Sequence, residues 1–287
     1  MSQEITNFQR AEILTQALPY IQKYYNKVVV VKYGGNAMIN EELKQHVMED
    51  VVLLQLIGVK VVLVHGGGPE ITNTMSKLGK ETQFVNGLRV TDKESAEIAQ
   101  MVLAGKVNKN LANLLQVKGG RAIGLSGIDG GMIYAKMKNP EIGFVGEITD
   151  VDIEPIETLL QHNYIPVVST VGCDAEGNVY NINADTAASA IAAALSAERL
   201  FELTDIEGIL RDKDDPTSRI TNVSVDEARE LLKDGTISGG MIPKVEGCIE
   251  AIEKGVKTVV IMDGRVPHSI LIEMLTDEGA GSMIYGN

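Results

Sequence analysis

Three consecutive glycines, in the segment His65–Pro69, stand where a strand pattern gives way to a helix pattern. They follow the apolar run Val61–Val64 and end in a proline, which suits the first turn of a helix. Glycine lets a ligand approach the backbone N–H groups closely, and a helix N-terminus favours negative charge. The segment predicts a phosphate-binding turn, with a plain tight turn between strand and helix as the alternative.

The same arrangement occurs earlier in the chain, in Lys32–Asn36, after the run Val28–Val31. Here a lysine ends the predicted strand. Side chains at the carboxyl ends of parallel strands face the crevice in which ligands bind. Lys32 is therefore a candidate for contact with a bound phosphate, although a lysine considered alone is usually solvated.

Other classes of phosphate-binding protein are excluded by what the sequence lacks. It contains neither G-x-x-x-x-G-K-[ST] nor a G-x-G-x-x-G placed between strand and helix. The formal net charge of -13 argues against nucleic acid and acidic membranes, because a negative field repels polyanions. Any phosphate must be held locally, by turns such as these.

The composition predicts a soluble, cytoplasmic protein without a metal centre. The 287 residues, 44% of them hydrophobic, suffice for one or two domains. No signal peptide is apparent, and the apolar stretch Ala187–Leu195 is shorter than the ~20 residues of a membrane span. Cys173 and Cys248 are far apart, which predicts two buried, reduced thiols. The histidines are scattered, and His65 is expected to orient the glycine turn.

Short apolar runs alternate with helical patterns along the chain, which predicts an α/β fold with a mostly parallel sheet. The predicted strands are Val28–Val31, Val61–Val64, Ala122–Leu125, Ile165–Ser169, Leu200–Leu203 and Val256–Ile261. The predicted helices include an amphipathic N-terminal helix over Ile13–Tyr25, then Lys93–Val117 and Ala184–Leu195. Tyr134–Gly146 and Gly172–Asn181 predict hairpins or loops around a cleft.

Six ordered segments resemble the amino-acid kinase family, and within it the branch that phosphorylates N-acetyl-L-glutamate. They are Val31–Gly35, His65–Pro69, Asn86–Thr91, Tyr180–Asp185, Leu203–Gly208 and Gly239–Lys244. The likeness covers almost the whole chain. It implies a three-layer α/β sandwich with two lobes: an N-terminal helix (1–27), an acetylglutamate lobe (28–197) and a nucleotide lobe (198–287).

The resemblance implies transfer of the γ-phosphate of ATP to the γ-carboxylate of N-acetyl-L-glutamate, a step of arginine biosynthesis that gives N-acetyl-L-glutamyl 5-phosphate and ADP. It makes Lys32 and Lys244 the transition-state stabilisers. Asp185 would hold both ammonium groups, although a helix N-cap is its alternative role, and Gly35 would donate a backbone N–H. Elementary chemistry agrees, because phosphoryl transfer passes through a highly charged state and an ionised carboxylate acceptor needs no general base.

The resemblance also implies the substrate contacts. Arg89 and Asn181 would bind acetylglutamate, assisted by Gly67 and Gly68, and Arg89 suits a bidentate grip on the α-carboxylate. An ordinary surface arginine is the alternative. The implied nucleotide contacts are Thr204, Asp205, Gly208, Ile209, Thr236, Ile237 and Ser238. Mg²⁺ would arrive bridging the phosphates of ATP, which requires no dedicated protein ligands.

In the resembled branch, members with a helix before the first strand are typically arginine-inhibited hexamers, whereas members without it are typically unregulated dimers. The N-terminal helix therefore predicts inhibition by L-arginine and a hexamer rather than a dimer. The implied effector residues are His268, Glu278, Gly281 and one tyrosine of the helix, Tyr24, with Tyr20 and Tyr25 as alternatives. A packing role of the helix is the alternative, and binding of a PII-type protein is left open by the sequence.

The sequence departs from the family pattern in places, and two other functions compete. Ser282 stands where threonine is usual, and Phe201 and Glu202 replace a more apolar pair. One alternative is a kinase of the same fold acting on aspartate, glutamate, carbamate or a nucleoside monophosphate. The other is a non-catalytic sensor of amino acids or nucleotides. Arg89 with Asn181 argues against the first, and the lysines with Asp185 argue against the second.

Overall fold

The computed structural model describes residues 5–38, 40–212 and 215–286. Residues 1–4 of the predicted N-terminal helix and residue 287 of the predicted nucleotide lobe lie outside the described residues. The strands are β1 (Val28–Tyr33), β2 (Lys60–His65), β3 (Phe84–Val85), β4 (Leu88–Arg89), β5 (Ala122–Ser126), β6 (Ile133–Asn139), β7 (Gly143–Val151), β8 (Ile165–Ser169), β9 (Val171–Cys173), β10 (Val179–Asn181), β11 (Arg199–Thr204), β12 (Asn222–Ser224), β13 (Thr258–Asp263) and β14 (Ser282–Tyr285). The α-helices are α1 (Asn7–Gln16), α2 (Leu18–Tyr24), α3 (Glu41–Leu56), α4 (Gly68–Lys77), α5 (Lys93–Gln100), α6 (Asn108–Val117), α7 (Glu154–Gln161), α8 (Ala184–Ala194), α9 (Val225–Lys233), α10 (Met241–Glu253) and α11 (Ser269–Leu275).

Eight of the described strands form one sheet in the order β12-β14-β13-β11-β1-β2-β8-β5. All neighbours run parallel except β13 and β14. The central strand β1 is buried from Val29 to Tyr33, as expected for a parallel strand covered on both faces. The six predicted strands and the mostly parallel sheet are confirmed. This sheet continues across the predicted boundary at residue 197, since β11 pairs with β1, and the division into domains stays a prediction.

Helices cover both faces of the sheet and make three layers. Val29 and Val31 point into one core, shared with α3, α6 and α11. Val30 points into a second core, shared with α7, α8 and α10. Alternate residues of one strand thus stabilise both layers, each buried valine contributing roughly 1.5–3 kcal/mol. The predicted three-layer sandwich is confirmed.

The N-terminal segment forms two helices where the sequence predicts one. The break falls at Ala17, and Pro19 lies in the first turn of α2, a position that proline tolerates. Tyr24 of α2 is buried, but no residue of α1 is, and Phe8 and Leu14 are each 72% exposed. The apolar residues of α1 therefore make no core contact within one chain.

The long helix predicted over Lys93–Val117 is also subdivided. Its middle, Met101–Val107, has the wider π-helical turn, between α5 and α6. The predicted hairpins are confirmed: β6 pairs antiparallel with β7, and β9 with β10. These four strands close on themselves as a small second sheet.

The predictions drawn from composition have mixed outcomes. Both cysteines are free; Cys248 is buried, but Cys173 at the end of β9 is only half-buried, so the prediction of two buried thiols is wrong for Cys173. None of the described helices has the length and apolar character needed to cross a bilayer.

Candidate active site

Two lysines from different parts of the chain meet one carboxylate. Lys32 Nζ lies 2.7 Å from Asp185 Oδ1, and Lys244 Nζ lies 3.2 Å from Asp185 Oδ2. Lys32 is held near the carboxyl end of β1, Asp185 in the first turn of α8 and Lys244 in the first turn of α10. The cap of α8 is Asn183, whose side chain accepts from Thr186 N. The alternative role of Asp185 as that N-cap is therefore wrong.

Asp185 and Lys32 stabilise each other's charge. Burial would raise the pKa of Asp185, but the ammonium groups of Lys32 and Lys244 outweigh it and lower this pKa to about 2. Burial disfavours the charge of Lys32, but Glu202 and Asp185 outweigh that effect and raise its pKa. Lys32 also donates to Leu203 O at 3.3 Å. The site therefore places two lysine ammonium groups around one carboxylate.

Cavities open on both sides of Lys32, and both are also lined by Gly34 and Gly35. The first, of about 520 Å³, we call the Lys244 cavity; it is lined further by Leu203, Thr204, Asp205, Ile206, Ser238, Gly240, Met241 and Lys244. The second, of about 270 Å³, we call the Arg89 cavity; its other lining residues include Gly66, Gly67, Gly68, Phe84, Arg89, Thr170, Asn181 and Asp185. Two ligands could thus meet at Lys32.

Arg89 is fixed in the wall of the Arg89 cavity. Its Nη2 donates to Gly68 O at 2.9 Å and to Thr72 Oγ1 at 2.8 Å, and the guanidinium lies 4.8 Å from the ring centroid of Phe84. Burial lowers its pKa. Asn181, at the end of β10, lines the same cavity. A buried, oriented guanidinium beside an amide suits recognition of a carboxylate.

The glycine turn lies between these groups and α4. Gly67 is the N-cap of α4, and Pro69 lies in the helix's first turn. A Cβ on Gly67 would lie 2.6 Å from Leu103 Cδ2, and one on Gly66 would lie 3.1 Å from Ala184 Cβ. The turn therefore needs glycine for close packing as well as for access to its N–H groups.

The side chain of His65 hydrogen-bonds to the backbone of this turn. Its two ring nitrogens lie 2.8 Å from Gly66 O and 3.0 Å from Asn108 Nδ2. Burial lowers the pKa of His65 to about 4, so the ring is neutral, with Nδ1 donating to Gly66 and Nε2 accepting from Asn108. This position agrees with the expectation that His65 orients the turn.

The predicted nucleotide residues divide into two groups. Thr204, Asp205 and Ser238 line the Lys244 cavity. The others do not: Ile209 and Ile237 are buried in the core, a Cβ on Gly208 would meet Ser282, and Thr236 N donates to Asp234. Ser282 keeps a hydroxyl where threonine is usual, and its Oγ accepts from Ile209 N at 2.8 Å. Nucleotide contact by Gly208, Ile209, Thr236 and Ile237 stays a prediction.

Three of the four predicted effector residues share a further cavity of about 170 Å³, which we call the α2 cavity. Tyr24, Glu278 and Gly281 line it, together with Tyr20, Lys23, Arg199, Thr221, Asn222, Glu273, Met274, Thr276, Asp277, Gly279 and Met283. His268 is not among them. Its Nδ1 lies 2.6 Å from Asp50 Oδ1, and its ring packs against His46.

The residues that could ligate a metal lie outside both active-site cavities. His46, Glu49 and His268 each place a ligand atom within 4.8 Å of the others. Two of these groups already have strong partners, since Glu49 accepts from Lys118 Nζ at 2.6 Å and His268 pairs with Asp50.

A sequence profile for the amino acid kinase family matches residues 27–263. The chain belongs to the amino acid kinase family. It is 55% identical over 285 residues to acetylglutamate kinase of Brachyspira hyodysenteriae (strain ATCC 49526 / WA1), covering 99% of each chain. It is 53% identical to acetylglutamate kinase of Clostridioides difficile (strain 630), over 97% of this chain and 98% of that one. The resemblance is thereby confirmed, and the chain is a kinase.

A solved structure carries the same fold. N-acetylglutamate synthase from Neisseria gonorrhoeae, complexed with coenzyme A and N-acetyl-glutamate, superimposes with a TM-score of 0.83 at 25% identity. The match covers 96% of this chain but 63% of that longer one. The amino acid kinase fold is therefore shared with an enzyme of another reaction, and the site decides the chemistry.

Several residues of this amino acid kinase site escaped prediction from the sequence. Phe84, beneath the Arg89 guanidinium, looks like any loop aromatic until the β3–β4 hairpin is built. Glu202 lies 3.8 Å from Lys32 Nζ, and in the sequence it is recognisable only as a departure from the family pattern. Its signal was a charged residue within the otherwise apolar strand Leu200–Leu203.

Proposed function

We propose that the protein transfers the γ-phosphate of ATP to the γ-carboxylate of N-acetyl-L-glutamate; its relatives are named acetylglutamate kinase. The observation that carries this proposal is the pairing of Lys32 and Lys244 with Asp185 where the two cavities meet. ATP occupies the Lys244 cavity and the acceptor occupies the Arg89 cavity. The products are ADP and N-acetyl-L-glutamyl 5-phosphate, an early intermediate of arginine biosynthesis.

The residues act by positioning and by charge. The acceptor carboxylate is ionised at neutral pH, so no side chain has to remove a proton. Lys32 and Lys244 stabilise the negative charge on the transferring phosphoryl group, and Gly35, Gly67 and Gly68 donate backbone N–H groups. Asp185 keeps the ammonium groups side by side. Mg²⁺ bound with ATP would supply further neutralisation of the phosphate charge, and Mg²⁺ held largely by phosphate oxygens and water would need no dedicated protein ligands.

Arg89 and Asn181 favour acetylglutamate among the acceptors. The fixed guanidinium binds the α-carboxylate, which leaves the γ-carboxylate free to point at Lys32. Carbamate and nucleoside monophosphates lack that second carboxylate. Aspartate and glutamate have it, but they carry a free ammonium group beside the α-carboxylate, where the acetyl derivative is neutral.

One assay tests the acceptor. ADP release is measured with N-acetyl-L-glutamate, L-glutamate, L-aspartate and carbamate at matched concentrations. The highest kcat/KM is expected for N-acetyl-L-glutamate. A higher value for another acceptor identifies a kinase of the same fold with a different substrate, and no ADP release with any of them favours the non-catalytic sensor.

We propose further that L-arginine inhibits the enzyme by binding in the α2 cavity. Glu278 and Asp277 supply carboxylates for a guanidinium, and Tyr20 donates to Asp277 Oδ1 at 2.5 Å, so α2 is tied to this wall. The carboxylate of Glu273 is already paired with Arg199, whose Nη1 lies 3.3 Å from Glu273 Oε1. Tyr24 and Gly281 complete the contact, and His268 stays outside it.

We propose that this enzyme is cytoplasmic and assembles into hexamers rather than dimers; the exposed apolar residues of α1 support self-association. Helix exchange between chains would bury Phe8 and Leu14 and would link neighbouring α2 cavities. The assignment of lobes to residues 28–197 and 198–287 belongs to the same proposal, because the Arg89 cavity is lined from the first and most of the Lys244 cavity from the second.

A further inference from the structure

Glu202 is a buried carboxyl group placed under the proposed phosphoryl site. It lies in β11, its side chain is 3% exposed, and its Oε2 has no hydrogen-bond partner among the described residues. Glu202 is the register partner of Lys32 on the adjacent parallel strand, so the two side chains share one face of the sheet. Its Oε2 lies 3.8 Å from Lys32 Nζ.

The titratable groups around Glu202 come from three elements. Lys32 faces it from β1, Asp185 from α8, and Lys244 and Cys248 from α10. Burial is the largest influence and, together with the charge of Asp185, raises the pKa of Glu202 to about 8, against the opposite effect of the two lysines. Burial also raises the pKa of Cys248 well above its usual value, so that thiol stays neutral.

The charge of this cluster therefore depends on one proton. Two ammonium groups and the Asp185 carboxylate leave a net positive charge while Glu202 is neutral. Ionised Glu202 cancels that charge. It would also attract the Lys32 ammonium toward the sheet, in competition with Asp185 and with the transferring phosphoryl group.

We propose that Glu202 is a proton-controlled positioning residue for Lys32: in its neutral form it leaves the ammonium directed to Asp185 and the phosphoryl group, and in its ionised form it slows transfer. This inference rests on the proposed function, because it assigns Lys32 to the transferring group. Glu202 itself touches neither substrate. Its effect is on the rate of the chemical step and not on the binding of the acceptor.

The test compares pH profiles of kcat. With saturating Mg-ATP and N-acetyl-L-glutamate, kcat of the unmodified enzyme is expected to fall about tenfold between pH 7 and pH 9, as a group of pKa near 8 loses its proton. Glu202→Gln, which imitates the neutral carboxyl, is expected to keep kcat at pH 7 within a few-fold and to lose the alkaline fall. KM for the acceptor should change little.

Two further variants keep the result decisive. Glu202→Met has similar length without hydrogen-bonding atoms, so it replaces the glutamine variant if that protein does not fold. Asp50→Asn removes another buried carboxyl with a raised pKa, one that lies outside both active-site cavities and pairs with His268. This control is expected to retain the alkaline fall.

A flat profile of the unmodified enzyme, or an unchanged alkaline fall in the glutamine or methionine variant, would overturn the inference. These outcomes differ from failure of the proposed function, which appears as preference for another acceptor in the ADP-release assay. If another carboxylate is preferred, the same profiles are measured with that acceptor.

Discussion

The ammonium groups of Lys32 and Lys244, which in the proposed reaction face one phosphoryl group, repel each other, and Asp185 makes their proximity favourable. Its two oxygens divide between Lys32 and Lys244, so each lysine has its own acceptor. The carboxylate therefore fixes the spacing of the charges before any substrate arrives. This preorganisation avoids the cost of assembling them during the reaction.

At the residue scale, removing either ammonium group should slow the chemical step. Lys32→Ala and Lys244→Ala are each expected to lower kcat by roughly 10²–10³-fold, the usual cost of losing one transition-state donor. KM for N-acetyl-L-glutamate should change far less. The matched control is Lys254→Ala, because that lysine pairs with Glu250 on the exposed face of α10. Activity of either site variant within a few-fold of the unmodified enzyme contradicts the catalytic assignment.

The sequence predicted the charged residues of the site better than their surroundings. Lys32 is recognisable because it ends a buried strand before a glycine turn, and Asp185 and Lys244 because they stand in family segments. The distant partners of Glu202 and His268 depend on which strands and helices become neighbours. Asp50 lies 218 positions from His268 along the chain, and no local pattern encodes such a contact.

At the element scale, the fit of the glycine turn against the π-helical segment Met101–Val107 sets the position of α4. Gly67→Ala brings a Cβ to 2.6 Å from Leu103 Cδ2, so that side chain or the turn must move. We expect at least a tenfold loss of kcat/KM for the acceptor, because a displaced turn withdraws its N–H donors. Steady-state kinetics provide the measurement.

Gly105→Ala is the matched control for this change. Gly105 lies in the same π-helical segment, and a Cβ there would meet no atom within 4 Å. This variant should therefore keep its activity. Because alanine has a higher helix propensity than glycine, the variant should also be slightly more stable. Equal losses of kcat/KM in the two variants would show that the close packing of Gly67 is not the cause of the lost activity.

Secondary structure could be predicted where one local force dominates. Continuous runs such as Val28–Val31 give buried parallel strands because β-branched side chains favour strands and a parallel strand is covered on both faces. The π-helical turn between α5 and α6 could not be foreseen, since Lys93–Val117 has a helical pattern and contains no proline. This segment packs against the glycine turn and β5, and no local pattern encodes those contacts.

At the scale of the whole molecule, stability should depend on pH through Glu202. Its pKa is raised from 4.5 to about 8 on folding, so the folded state retains a proton that the unfolded chain releases. This contribution to stability is full below about pH 4.5 and is lost as pH rises toward 8. Thermal unfolding from pH 5 to pH 8.5 should therefore show a steeper fall in Tm for the unmodified enzyme than for Glu202→Gln. Parallel curves would contradict this.

Assembly and inhibition belong to the same scale. Deletion of residues 1–16 removes α1 while leaving α2 and the core intact. We expect a smaller oligomer, little change in kcat and loss of inhibition by millimolar L-arginine. Analytical ultracentrifugation measures the size of the oligomer. The ADP-release assay measures kcat and the inhibition by L-arginine. A truncated enzyme that remains a hexamer, or an intact enzyme insensitive to arginine, contradicts the proposal.

Helix α1 has ten residues, and none of them is buried within one chain. An isolated helix this short is only marginally stable in water, because the free energy gained by helix propagation barely offsets the unfavourable free energy of nucleation. Its capping box, formed by Thr6 and Gln9, stabilises one end alone. In the proposed assembly, the folding of α1 would be coupled to protein concentration. Dilution would then melt this segment while the sandwich stays folded, and the amide hydrogen exchange of α1 would report the association of chains.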